Sequence, residues 1–83
     1  MAHRLPTAAS AHGFRGDYHV ETLEMQAPGD SVWTSTAYVY HVHRSGPLLE
    51  IENAGRAEDR GTARQQAVAA GLAAIAELDP TAY

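Results

Sequence analysis

Residues 32–43 read Val-Trp-Thr-Ser-Thr-Ala-Tyr-Val-Tyr-His-Val-His, crowded with β-branched and aromatic side chains and free of Gly and Pro. Such side chains fit a pleated, half-buried surface, so Val32 to His43 is read as a strand. The elements on either side follow from it. Upstream, Pro28-Gly29-Asp30 is a turn cluster in which Pro fixes one φ angle and Gly supplies a positive one. Before that turn, Phe14 to Met25 alternates apolar residues with Arg15, Asp17, His19 and Glu21, the period of a half-buried strand. A hairpin with its tip at Pro28-Gly29 sets Glu24 opposite Trp33, Val20 opposite Ala37, Tyr18 opposite Val39 and Phe14 opposite His43. These residues make one core-forming face. The other face then carries His19, Leu23 and Met25 with Val32, Thr34, Tyr38, Tyr40 and Val42, which is more apolar than a solvated face should be.

Downstream, Arg44-Ser45-Gly46-Pro47 is a second turn, and Leu48 to Asn53 suits a short edge strand. A two-residue tip at Ser45-Gly46 pairs His41 with Glu50 and sends Leu49 and Ile51 to the tyrosine face. A three-residue tip, Ser45 to Pro47, instead sets His41 opposite Ile51 and His43 opposite Leu49 on the helix side. A one-residue slip exchanges the faces, and the three-residue tip is preferred because it gives the helix apolar side chains to pack on. After a charged loop from Arg56 to Gly61, Thr62-Ala-Arg-Gln65 matches a capping box at a helix start. The helix then presents Val68, Leu72, Ile75 and Leu78 as a stripe, with Ala67 and Gly71 beside it, and stops at Asp79-Pro80. Residues 1–13 lack either periodicity and read as a disordered tail. The expectation is an α+β domain over residues 14–80, a three-stranded antiparallel meander with one C-terminal helix on one face, followed by a short tail at 81–83.

Composition narrows the function. The chain has 83 residues, 45% of them hydrophobic, but 16 are alanine, so the core is thin. Without cysteine there is no disulfide framework, thiol nucleophile or cysteine-based metal site. A net charge of −4 argues against tight binding to phosphate backbones. No apolar run suggests a membrane span or signal peptide, and a cytoplasmic location is expected. All six basic residues are arginine, which with the alanine excess suggests a GC-rich bacterial genome.

Several constellations could carry chemistry. His41-Val42-His43 projects two imidazoles to one side of a strand, and Glu50 would join them as a third metal ligand under the two-residue tip. Arg44 beside them repels a cation. A structural role is favoured, with a histidine meeting Glu77, Asp79 or free carbonyls at the helix C-terminus. Asp17, His19 and Glu21 share one side of a strand, yet no strained turn or oxyanion donor marks Ser31, Ser35 or Ser45 as a nucleophile. Glu50 and Glu52 on an edge strand more often block further strand pairing than form a carboxylate pair. Gly13-Phe-Arg-Gly16 is too short to cradle a phosphate. Hence no catalytic, cofactor-binding or metal residue is assigned.

Trp33, Tyr38 and Tyr40 could stack on bases, and a three-stranded sheet with a C-terminal helix resembles in outline the integrase N-terminal and methyl-CpG-binding domains. That resemblance implies DNA reading through the sheet. The carboxylates Asp17, Glu21, Glu24, Glu50 and Glu52 outnumber Arg15 and Arg44 on this sheet, so nucleic acid is not expected as a partner. A second resemblance, to small uncharacterised bacterial β-β-β-α proteins, rests on Phe14 to Val20, the Trp-x-x-x-Ala-x-Val of Trp33 to Val39, Leu48 to Glu52, and the alanine-rich stretch from Thr62 to Asp79. It implies a fold and no activity, and it departs at Arg56 to Arg60, where an aliphatic or aromatic residue would close the core.

One helix cannot cover both faces of the sheet. The expected remedy is a homodimer through the open face or an edge, with Leu23, Met25, Tyr38, Tyr40 and Val42 as the contact surface. The competing reading is that tyrosine hydroxyls and threonines keep this face wet enough for a monomer. A non-enzymatic interaction protein without a cofactor is the function expected. Metal or small-ligand binding at the His-x-His pair, and weak nucleic-acid binding through the sheet, are the alternatives.

Overall fold

The computed structural model describes residues 7–83. Four strands, β1 (Thr7–Gly13), β2 (Gly16–Gln26), β3 (Trp33–His41) and β4 (Leu49–Ala57), precede one helix, α1 (Arg60–Leu78). They form one antiparallel sheet in the order β1-β2-β3-β4. The class is α+β, as expected, but the sheet has four strands rather than three. The added strand lies within the stretch expected to be a tail, of which Met1–Pro6 fall outside the described residues. Its alanines and serine have little strand propensity of their own. Pairing supplies what propensity lacks: Ala11 lies opposite Tyr18 and Ala9 opposite Val20, and Ala11 is buried in the core. The two-residue Phe14-Arg15 turn joins Gly13 to its partner Gly16.

The β2–β3 hairpin keeps the expected faces with a register displaced by two residues. Val20 lies opposite Val39, Tyr18 opposite His41, and Gln26 opposite Trp33. The displacement comes from the loop. Ala27 to Asp30 closes a turn around Pro28 and Gly29, with Gly29 at φ 77° and Asp30 N–H donating to Ala27 O at 3.0 Å. The Asp30 side chain then accepts from Val32 N–H at 2.9 Å, so residues up to Val32 belong to the loop rather than to the strand.

Between β3 and β4 neither expected tip forms. Val39 lies opposite Leu49 and Ala37 opposite Ile51, displaced from the preferred register although Leu49 and Ile51 stay on the helix side. The register shifts between Ser35 and Ala37, near Asn53 at φ 52°, and the strand runs on to Ala57 instead of ending at Asn53.

The helix starts earlier than the capping-box reading placed it. Asp59 is the N-cap, and its carboxylate accepts from Thr62 N–H at 2.8 Å and from Thr62 Oγ1–H at 3.0 Å. An aspartate accepts more strongly at an N-cap than a residue already inside the first turn could, so Thr62 becomes the donor. At the other end Asp79 is the C-cap, donating its N–H to Ile75 O at 2.8 Å.

The buried stripe is Ala63, Ala67, Gly71 and Ile75 rather than Val68, Leu72, Ile75 and Leu78. Leu78 remains 37% exposed. Close approach is the reason. A Cβ on Gly55 would overlap the Ala63 carbonyl, and one on Gly71 would sit 2.8 Å from Val20 Cγ1. Small residues let the helix lie against the sheet, while Leu72 flanks a core built from Tyr18, Val20, Ala37 and Val39.

Asp79 also ties the C-terminal residues to the β1–β2 turn. Its side chain is buried and accepts from Arg15 N–H at 2.8 Å, Thr81 N–H at 3.2 Å and Thr81 Oγ1–H at 2.6 Å. The Thr81 hydroxyl, followed by the Arg15 N–H, holds the carboxyl below its ordinary value. Burial and the neighbouring Asp79 charge push the Tyr18 phenol up. Beyond it, His12 and Tyr83 exchange both backbone hydrogen bonds at 2.9 Å, so the last residue covers one end of the β1 edge. No helix among the described residues is long and apolar enough to cross a membrane.

Candidate interaction surface

The alternation along β2 and β3 that fills the core also sets the opposite face. Leu23 lies opposite Thr36, Met25 opposite Thr34, Glu21 opposite Tyr38, and His19 opposite Tyr40. From β4, Glu50 joins Tyr38 on this face. Here Leu23, Met25, Thr34, Tyr38, Glu50 and Glu52 line a shallow groove of about 630 Å³. Leu23 is 39% and Met25 60% exposed, so the floor of the groove is apolar surface left in water. The helix packs against the other face of the sheet.

Three of the five expected contact residues, Leu23, Met25 and Tyr38, therefore share one groove. Tyr40 sits beside it with its ring stacked on His19, centroids 4.8 Å apart and planes within 7°. Val42 lies apart, beyond the end of β3, where its N–H donates to Asp17 O at 3.0 Å. The His19 imidazole pairs with Glu21 at 2.9 Å. That pairing explains how Glu21 is accommodated at 1% exposure on a sheet face the helix does not cover.

Of the candidate metal ligands, His41 and His43 lie side by side, with ring centroids 5.3 Å apart, but Glu50 does not join them. His41 lies opposite Tyr18 on the helix side, while Glu50 lies opposite Tyr38 on the other face. Both nitrogens of the His41 ring are engaged. Nε2–H donates to Arg15 O at 2.8 Å, Nδ1 accepts from His43 N–H at 3.1 Å, and the ring meets Tyr18 edge-on at 4.9 Å. His41 is thus held at both ring nitrogens, though its partners are the β1–β2 turn, His43 and Tyr18 rather than the helix carbonyls. Asp79 reaches the same turn from the other side.

The serine candidates fare similarly. Ser35 is buried on the helix side and donates to Glu24 at 2.8 Å, away from His19. Trp33 also belongs to the helix side, with Arg60 lying 5.6 Å over its ring, so it shares no surface with Tyr38 and Tyr40 for stacking on bases. Among the described residues no group of three or more histidine or carboxylate side chains is placed to hold a metal ion.

Sequence reading missed the grouping of Ser10 and His12 with His19. Ser10 lies opposite His19, and His12 lies opposite Asp17, whose carboxylate it meets at 2.8 Å. The pair of glycines at Gly13 and Gly16 was the signal for this hairpin, since a Gly-x-x-Gly spacing closes a two-residue turn as readily as it fails to hold a phosphate. Comparisons with protein-family models, with curated proteins and with solved structures found no match to this chain.

Proposed function

We propose that this protein is a non-enzymatic interaction module that pairs with a second copy of itself through the helix-free face of its sheet. The observation that carries the reading is the groove of Leu23, Met25 and Tyr38, apolar surface on the face opposite the helix. Glu50 and Glu52 stand on β4 at one side, and His12 stands on β1 at the other. A two-fold axis along the strands lays β1 of one copy over β4 of its partner and closes the apolar groove in the middle.

The edges support the face over edge-to-edge pairing. At one edge β4 is bulged at Asn53, and the Arg56 N–H is taken by Gln66 at 2.8 Å. At the other, the end of β1 is covered by Tyr83. Such features discourage strand addition. The experiment is dilution of isotope-labelled protein over a hundredfold range, followed by backbone and methyl resonances. Leu23, Met25 and Tyr38 should move together while Ala63 and Ala67 stay fixed. Shifts confined to the strand edges, or none at all, would count against the proposal.

A further inference from the structure

All four described histidines lie at one end of the sheet, the end that carries the β1–β2 turn. His12, His19 and His41 line a cavity of about 380 Å³ there with Ser10, Asp17 and Arg44, and His43 lies 5.3 Å from His41. Arg15 adds a further cation at the turn. In a chain of net charge −4 this end gathers Arg15, Arg44 and the four described histidines. The carboxylates that face it are accounted for. Asp17 is engaged by His12 at 2.8 Å, Glu21 by His19 at 2.9 Å, and Asp79 is turned behind Arg15 and Thr81. Among the described residues Arg44 forms no ion pair, and its guanidinium is exposed at the cavity wall.

We infer that this cavity binds the phosphate group of a small molecule, with Arg44 as the principal cation and the Ser10 hydroxyl and His12 as further donors. The chemistry of the lining selects an oxyanion. Arginine offers a planar fork of donors matched to phosphate oxygens, and a serine hydroxyl adds a neutral one. The donors come from β1 and from the loop after β3, on two sides of the cavity. His12 gives Nδ1–H to Asp17, which leaves only Nε2 for the phosphate. His41 forms wall and not ligand, because both of its nitrogens are already used. The cavity volume leaves room for a small organic remainder.

The test is titration of the labelled full chain with inorganic phosphate, at constant ionic strength set by chloride, at pH 6 and pH 8. Saturable shifts at Ser10, His12 and Arg44 are expected at both pH values. Arg44→Gln should weaken binding by about tenfold or more, the worth of a charged hydrogen bond. Ser10→Ala should weaken it less. Arg44 is exposed in a loop, so an unchanged spectrum elsewhere shows that the variant still folds. Acetate binding as well as phosphate would overturn the assignment to phosphate. Unsaturated shifts, or equal binding by Arg44→Gln, would overturn the site.

Discussion

The two faces of the sheet solve opposite problems with the same strands. On the helix side, contact is made by small residues at close range. Ala63, Ala67 and Gly71 meet Val20, Ala37 and Gly55, and most of these positions are fully buried. On the other side the large residues Leu23, Met25 and Tyr38 line a groove with nothing of the helix against them. A thin core thus need not be a loose one, because alanine and glycine contribute by allowing backbone approach rather than by area. The large apolar residues Leu23 and Met25 stay exposed on the face opposite the helix.

The largest expected effect comes from spoiling that close approach. Gly55→Ala should cost about 3 kcal/mol in urea unfolding, the upper end of the range for overpacking, because the atom it meets is a backbone carbonyl that cannot step aside. Thr36→Ala on the open face should change stability by under about 0.5 kcal/mol. A similar cost at both positions would mean that the faces are packed alike.

Next is the Asp79 tie. Asp79→Ala leaves the Arg15 N–H and both Thr81 donors without their acceptor, and a lowered melting temperature is expected by calorimetry. The pH dependence has a definite sign. The folded carboxyl titrates below its ordinary 3.8, so its contribution is present above that value and is lost as pH falls through the folded one. Asp79→Asn should flatten this acid limb, measured as melting temperature against pH between 2 and 5. An unaltered limb would place the acid sensitivity elsewhere.

Smaller again is the helix start. Asp59→Ala should cost about 1 kcal/mol, the usual worth of an N-cap, and Thr62→Ala should cost less because Asp59 still accepts from the Thr62 N–H. The smallest effect on the fold is expected at Tyr38→Ser, under about 1 kcal/mol for a half-buried side chain. Its effect should show in self-association instead.

The strand core of the fold was legible from residues 32–43, because a run of β-branched and aromatic side chains has few other uses. Face assignment was legible too. Tyr18, Val20, Ala37 and Val39 share the core face because alternation survives a two-residue slip. Register was not, since Asp30 caps its own turn and lengthens the loop by an interaction local periodicity does not reveal. Strand β1 was hidden for a different reason. Residues such as Ala8, Ala9 and Ser10 carry no strand signal, and their conformation is imposed by pairing with β2 and by the backbone bonds between His12 and Tyr83. The helix stripe was misplaced because hydrophobic periodicity weighs leucine over alanine, whereas the distance between helix and sheet is set by the smallest residues. Of the residues lining the groove, Leu23, Met25 and Tyr38 were readable from alternation alone. The histidine-lined cavity was not, because His12 could not be placed until β1 existed.

The most direct measurement is the mass of the chain in solution by light scattering across a hundredfold range of concentration, on the unaltered protein and on Tyr38→Ser. Twice 8.9 kDa at the upper end for the unaltered chain, with Tyr38→Ser at 8.9 kDa under the same conditions, is the result predicted from the open face. A mass of 8.9 kDa throughout, or a dimer indifferent to Tyr38→Ser, would contradict it.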